Sequence, residues 1–141
     1  MTDPMRFTLR WLVRTYEVDE NGHVNNAVYL QWAEYLAAQH AEACGWGRRW
    51  SIEQGGAWLV RRHEIVYHIP ALREDEVELT VEVLRLGGVR GTRHTRISRT
   101  SDGALLAEVQ SEWVWVRLSD GRPGRVPAVI LDAYRDASLN A

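Results

Sequence analysis

From Ala57 onwards the chain changes its period, and this change constrains the fold more than any other feature of the sequence. Residues Trp58 to Ile69, Val77 to Leu86, Thr92 to Thr100 and Leu105 to Leu118 each read as extended strands. The second is the clearest. There Val77, Leu79, Val81 and Val83 fall on one side and Glu76, Glu78, Thr80 and Glu82 on the other, so one face is buried and the other is wet. Pro70, the Gly87-Gly88 pair and Ser101-Asp102-Gly103 mark the turns, and connections this short favour antiparallel neighbours. A further strand is expected over Arg6 to Tyr16, where Phe7, Leu9, Trp11 and Val13 alternate with Thr8, Arg10, Leu12 and Arg14.

Between these regions lies one stretch of helical period. From about Asn26 to Cys44 no proline or glycine intervenes, and Leu30, Ala33, Ala37, Ala41 and Cys44 recur at the spacing of one helical face. Gly45-Trp46-Gly47 supplies the stop. The segment Arg48 to Gly56 is expected to be irregular, and the tail after Pro127 to form a short amphipathic helix through Val129, Ile130, Ala133 and Tyr134. One long helix beside a five-stranded antiparallel sheet is an α+β arrangement in which the sheet can wrap around the helix. At 141 residues the chain has the length of a single domain, residues 1–141, with one core. Its sheet has edges and a second face to cover, so self-association is expected.

Composition narrows the class of function. With 45% hydrophobic and 26% charged residues the chain reads as an ordinary soluble globular protein. A net charge of −2 lacks the basic excess of a nucleic-acid binder. Cys44 is the only cysteine, which excludes an internal disulfide and a cysteine-based zinc site and makes a reducing, cytoplasmic setting the default. No apolar run approaches the roughly 20 residues of a membrane span, and no apolar signal segment opens the chain.

Chemistry concentrates in Asp19-Glu20-Asn21-Gly22-His23-Val24-Asn25-Asn26-Ala27-Val28-Tyr29. This polar loop runs straight into the expected helix, where the first N–H groups lack partners and an anion or developing oxyanion is stabilised. From the residues alone Asp19 reads equally as a turn-capping acid or as a nucleophile or general base. Asn21 and His23 read either as solvent-facing loop residues or as polar partners of that acid. Gly22 lets the backbone turn tightly or approach a substrate closely. Asn25 or Asn26 is the expected N-cap.

The pattern Asp19-x-Asn21-Gly22-His23-Val24-Asn25-Asn26-x-x-Tyr29, with Glu34 on the helix, closely resembles the signature of hot-dog fold thioesterases. It is similar to the 4-hydroxybenzoyl-CoA and short-chain acyl-CoA thioesterase group and, in its Asp-x-Asn-x-His part, to plant acyl-ACP thioesterases. The strand order fits that fold over nearly the whole chain. The resemblance implies hydrolysis of an acyl-CoA or acyl-ACP thioester, with no metal or redox cofactor and coenzyme A present only as part of the substrate. It implies a homodimer or homotetramer with active sites at subunit interfaces. It casts Asp19 as nucleophile or base, Asn21 as orienting the acid or water, and His23 as giving a hydrogen bond or proton. It casts the Asn26 N–H as the donor that polarises the thioester carbonyl, a role worth about 2.7–4 kcal/mol in the transition state. Tyr29 and Gly22 follow as motif residues at the substrate. A non-catalytic acyl or aryl binding protein of the same fold is the alternative from outside enzymology, and a hot-dog dehydratase resembles the chain less.

Other residues carry weaker signals. Glu34 shares the apolar helical stripe, where an acid is expensive to bury unless paired. A partner such as His23 or Arg62, or a pocket, is therefore expected, unless the helix is rotated so that Glu34 lies at the boundary. His40 near the same stripe reads as a satisfied core group. The spacing of His23, Glu34 and His40 lacks a metal-site signature. The strand arginines read mostly as solvated charges, with Arg90, Arg93 and Arg96 as candidates for the phosphates of coenzyme A. Seven tryptophans read first as core and interface packing; the alternative is an aromatic wall for the acyl group, tested by Trp32 and Trp58.

Overall fold

The structure, a computed structural model, describes residues 2–139. Its elements are β1 (Arg6–Leu12), a 3-10 turn (Thr15–Glu17), α1 (Val28–Ala43), α2 (Arg48–Glu53), β2 (Gly56–Tyr67), β3 (Glu76–Gly87), β4 (Arg90–Arg99), β5 (Leu105–Arg117) and α3 (Ala128–Leu139). The strands form one antiparallel sheet in the order β1-β3-β4-β5-β2. This is the expected α+β architecture. The alternation in β3 is realised side chain by side chain: Val77, Leu79 and Val81 are fully buried, each worth roughly 1.5–3 kcal/mol of burial. They pack with Leu9 and Trp11 of β1, Ile97 of β4 and Val109 of β5 against Val28, Tyr29, Trp32, Ala33 and Leu36 of α1.

Helix α1 is rotated relative to the expected face. Tyr29, Trp32, Ala33, Leu36, Ala37 and His40 are buried, while Leu30, Ala41 and Cys44 are only half-buried and Glu34 is exposed. The large aromatic side chains decide the rotation, because Trp32 buries far more apolar surface than an alanine can. Glu34 is thereby a boundary residue. It pairs with neither His23 nor Arg62; its Oε1 lies 3.4 Å from Nε2 of His63 on β2.

Three local expectations are corrected. The first strand ends at Leu12 instead of Tyr16, because the Glu17 carboxylate accepts the Arg14 N–H at 2.7 Å and closes the chain into the 3-10 turn. The segment from Arg48 is helical through Glu53; Trp50 on this helix packs against the cluster of Trp115, Val126 and Ile130. In α3, Ile130 is buried as expected but Val129 is exposed.

His40 is a satisfied core group. Its Nε2–H donates to the Asp3 carbonyl at 2.7 Å, its Nδ1 accepts from Arg93 Nη1 at 3.0 Å, and its ring stacks on Phe7. Burial pushes the His40 pKa below the ordinary imidazole value, the Asp3 carbonyl opposes this, and the Arg93 charge reinforces it. The unfolded chain therefore takes up this proton more readily. The stability contributed by neutral His40 is complete above about pH 6.5 and is lost as the pH falls below it. Thermal melts of the wild type across that window are expected to show a falling midpoint, and His40→Gln to flatten that part of the curve.

Among the described residues strand β2 occupies one edge of the sheet and pairs only with β5. Its other side, twelve residues long, carries unpaired backbone groups with Leu59, Val66 and Tyr67 exposed. Among the described residues no helix is long and apolar enough to cross a membrane.

Candidate active site

The polar loop between the 3-10 turn and α1 is held in place by the loop that follows β2. Val24 N–H donates to the Ala71 carbonyl at 2.9 Å, Ala71 N–H to the Tyr29 hydroxyl at 2.9 Å, and Arg73 N–H to the Gly22 carbonyl at 2.9 Å. Arg99 in turn fastens the 70–75 loop, reaching Asp75 at 2.9 Å and the Pro70 carbonyl at 3.0 Å. Tyr29 is thus a buried clamp whose ring also borders the site. Burial raises the pKa of its phenol.

Within this frame Asp19 caps its own turn and retains one oxygen for other use. Its Oδ1 accepts the N–H groups of Asn21 at 2.8 Å and His23 at 3.1 Å. Its Oδ2 has no protein partner among the described residues. Gly22, at φ +77, takes the left-handed conformation that the turn requires and that other residues adopt only with strain. Asp19 is therefore a turn acid, and it also borders a cleft of about 440 Å³ together with His23, Asn25, Asn26, Tyr67 and His68.

The segment leading into the helix brings Asn25 and Asn26 to the same cleft. Neither Asn25 nor Asn26 is the N-cap: Ala27 holds that position without a side-chain capping bond, and Asn25 forms the turn before it, its Oδ1 accepting the Ala27 N–H at 3.0 Å and its carbonyl the Val28 N–H at 2.9 Å. The helix accordingly begins at Val28 instead of Asn26. The Asn26 carbonyl accepts a hydrogen bond from the Tyr67 hydroxyl at 2.7 Å. With the peptides on both sides fixed, the Asn26 N–H donates to no protein acceptor among the described residues. A free N–H at a helix N-terminus beside a carboxylate with a free oxygen suits an electrophilic carbonyl that gains negative charge as it is attacked.

Other sequence candidates lie elsewhere. Asn21 is exposed on the loop and does not border the cleft. Glu34 is engaged with His63. Trp32 is buried, with its indole N–H donating to Glu17 Oε2 at 2.8 Å, and is no accessible wall. Arg90, Arg93 and Arg96 form no cluster, since the sheet alternation puts Arg93 on the opposite face from the other two. Arg90 pairs with Glu112, Arg96 is exposed, and Arg93 joins His40 beside a second cavity that Trp58 also borders. Among the described residues no three His, Cys, Asp or Glu side chains gather to hold a metal ion.

The structure also adds residues that the sequence did not single out. Tyr67 and His68 reach the cleft from the end of β2; His68 Nε2 lies 2.9 Å from Glu108, which holds the Glu108 carboxyl below its ordinary range. Glu17 is buried beneath the loop. An aromatic-histidine pair just before Pro70 was the available signal for the first two. None marked Glu17.

Comparison with known proteins covers nearly the whole fold. A family model described as the thioesterase-like superfamily matches residues 13–134. The long-chain acyl-CoA thioesterase FadM of Escherichia coli is 28% identical over 106 residues, spanning 75% of this chain and 80% of that protein. A 1,4-dihydroxy-2-naphthoyl-CoA thioesterase from Synechocystis superposes with a TM-score of 0.82 at 19% identity, covering 96% of each chain. A Staphylococcus aureus protein solved in complex with CoA superposes with a TM-score of 0.89 at 14% identity, covering 99% of this chain and 87% of the other.

Proposed function

The chain belongs to the thioesterase-like superfamily, with its hot-dog fold, and from that premise we propose that it hydrolyses an acyl-coenzyme A thioester to the free acid and coenzyme A. One observation carries this reading: a carboxylate with one oxygen tied into its own loop and the other free, beside an unused N–H at a helix N-terminus. In this reading the thioester carbonyl accepts the Asn26 N–H, and Asp19 Oδ2 either attacks the carbonyl carbon or takes a proton from the attacking water. His23 borders the same cleft and serves the proton that the departing thiolate needs. No metal or redox group is required. The likeness to FadM and to a protein solved with CoA supports coenzyme A as the carrier. Acyl-carrier-protein thioesters are the second reading, favoured by the Asp19-x-Asn21-x-His23 spacing.

Self-association through the free side of β2 belongs to the same reading, as a homodimer or a dimer of dimers. It would pair the twelve-residue edge that the isolated sheet leaves open.

The test is thiol release from short, long and aromatic acyl-CoA esters. Turnover of any of them supports the reading, and no turnover from folded protein overturns it in favour of carrier-protein substrates. Tyr67 offers a finer test. Tyr67→Phe removes the hydroxyl that fixes the Asn26 carbonyl, so kcat is expected to fall roughly 3- to 10-fold with little change in KM. Steady-state kinetics on the best ester of the panel separates the two parameters.

A further inference from the structure

Near the other end of α1 lies a second, larger cavity of about 630 Å³. Among the described residues none borders both cavities, and the packed side chains of Trp32 and Leu36 occupy the helix between them. Ala37 and Ala41 of α1 leave room on one side, and Trp46, Trp58, Trp113 and Ile130 wall it. Its volume is that of an ordinary small-molecule site.

The polar lining is unbalanced. Arg93 enters from β4 and donates to Nδ1 of His40 at 3.0 Å. His40, bound through Nε2–H to the Asp3 carbonyl, is neutral and offers no counter-charge. Arg93 makes no ion pair among the described residues. Burial pushes its pKa down to about 10, with only the Cys44 thiol opposing, so the guanidinium stays charged at neutral pH. Glu42 is exposed at the rim, its carboxylate against Gly47. The indole N–H of Trp113, which also borders the cavity, is buried without an acceptor.

A half-buried cation without an anion, lining a largely apolar chamber, is costly unless a ligand supplies the missing charge. We propose that this chamber binds a small amphipathic carboxylate, whose carboxylate pairs with Arg93 and whose aliphatic or aromatic body lies against Trp46, Trp58 and Trp113. The proposal stands on the chamber and is independent of the thioesterase reading. If that reading holds, the acid released by the reaction belongs to the same ligand class.

The experiment is equilibrium binding to the full chain, read by tryptophan fluorescence and calorimetry, of decanoate and 2-naphthoate against their uncharged amides. An acid is expected to bind about tenfold or more tightly than its amide. Arg93→Met is expected to abolish that preference and Arg93→Lys to keep most of it. Asp19→Asn is expected to bind the acids as the wild type does, which separates this site from the catalytic cleft. Preference for the aliphatic or the aromatic acid identifies the body that the indoles accept. Equal binding of acid and amide, no saturable binding by folded wild type, or an undiminished preference in Arg93→Met overturns the proposal. Should Arg93→Met fail to fold, the acid–amide comparison on the wild type still decides.

Discussion

Replacing Asp19 by asparagine is expected to lower kcat for thioester hydrolysis by about 10²- to 10⁴-fold, the range of a positioned base or nucleophile. Asparagine is the informative substitution. It keeps an Oδ1 that can accept the Asn21 and His23 N–H groups, so the turn survives while the anionic oxygen is lost. Alanine removes both, and its effect would mix chemistry with a displaced loop. Circular dichroism and the melting temperature of Asp19→Asn should match the wild type, and the loss should appear in single-turnover kinetics. A variant with native-like stability and more than a tenth of wild-type turnover would show that Asp19 is only the turn acid. Label in the enzyme carboxylate after single turnover in ¹⁸O-labelled water establishes attack by Asp19 with hydrolysis at the Asp19 carbonyl, and trapping of an Asp19 mixed anhydride with hydroxylamine, which direct attack by water never forms, covers hydrolysis at the acyl carbon.

Glu17→Ala is expected to be the most destabilising single substitution in the site, by about 3–5 kcal/mol, since each buried donor left without an acceptor costs about 1–3 kcal/mol. The Glu17 carboxylate accepts the Trp11 indole N–H at 3.0 Å, the Arg14 N–H at 2.7 Å and the Trp32 indole N–H at 2.8 Å. It thereby joins β1, the 3-10 turn and α1 in a nearly dry place. Alanine leaves those three donors without an acceptor, and such orphaned groups cost more than the bonds contributed. Glu17→Gln keeps one acceptor and should lose less. Combining Glu17→Ala with Trp32→Phe should cost less than the sum of the single changes, because the second removes one orphaned donor. Urea unfolding at unchanged slope measures each value. A loss under 1 kcal/mol for Glu17→Ala, roughly that of one ordinary hydrogen bond, would contradict this account. Because the Asn25 N–H donates to the Glu17 carbonyl at 2.9 Å, residual activity should fall with stability as the loop loosens.

Much of this protein can be read from its residues in order, because the signals concerned are local. The alternation of Val77, Leu79, Val81 and Val83 specifies which face of β3 is buried, since a strand has only two faces. The absence of proline and glycine from Asn26 to Cys44 locates the long helix to within two residues of its start and one of its end. The motif around Asp19 marks the cleft, since its turn is made by bonds within five residues. What depends on distant partners was closed to such reading. The rotation of α1 follows from Trp32 meeting a buried carboxylate 15 positions earlier, and periodicity does not record how much area each side chain buries. Tyr67 matters because it reaches Asn26 across 41 positions, and Arg93 is set apart from Arg90 and Arg96 only once the strand's faces are assigned. The sequence by itself determined the long helix, the strands and the polar loop that borders the cleft, through short-range backbone geometry and pattern. Only the tertiary structure decided which side chains share a cavity, because that depends on contacts between residues far apart in the chain.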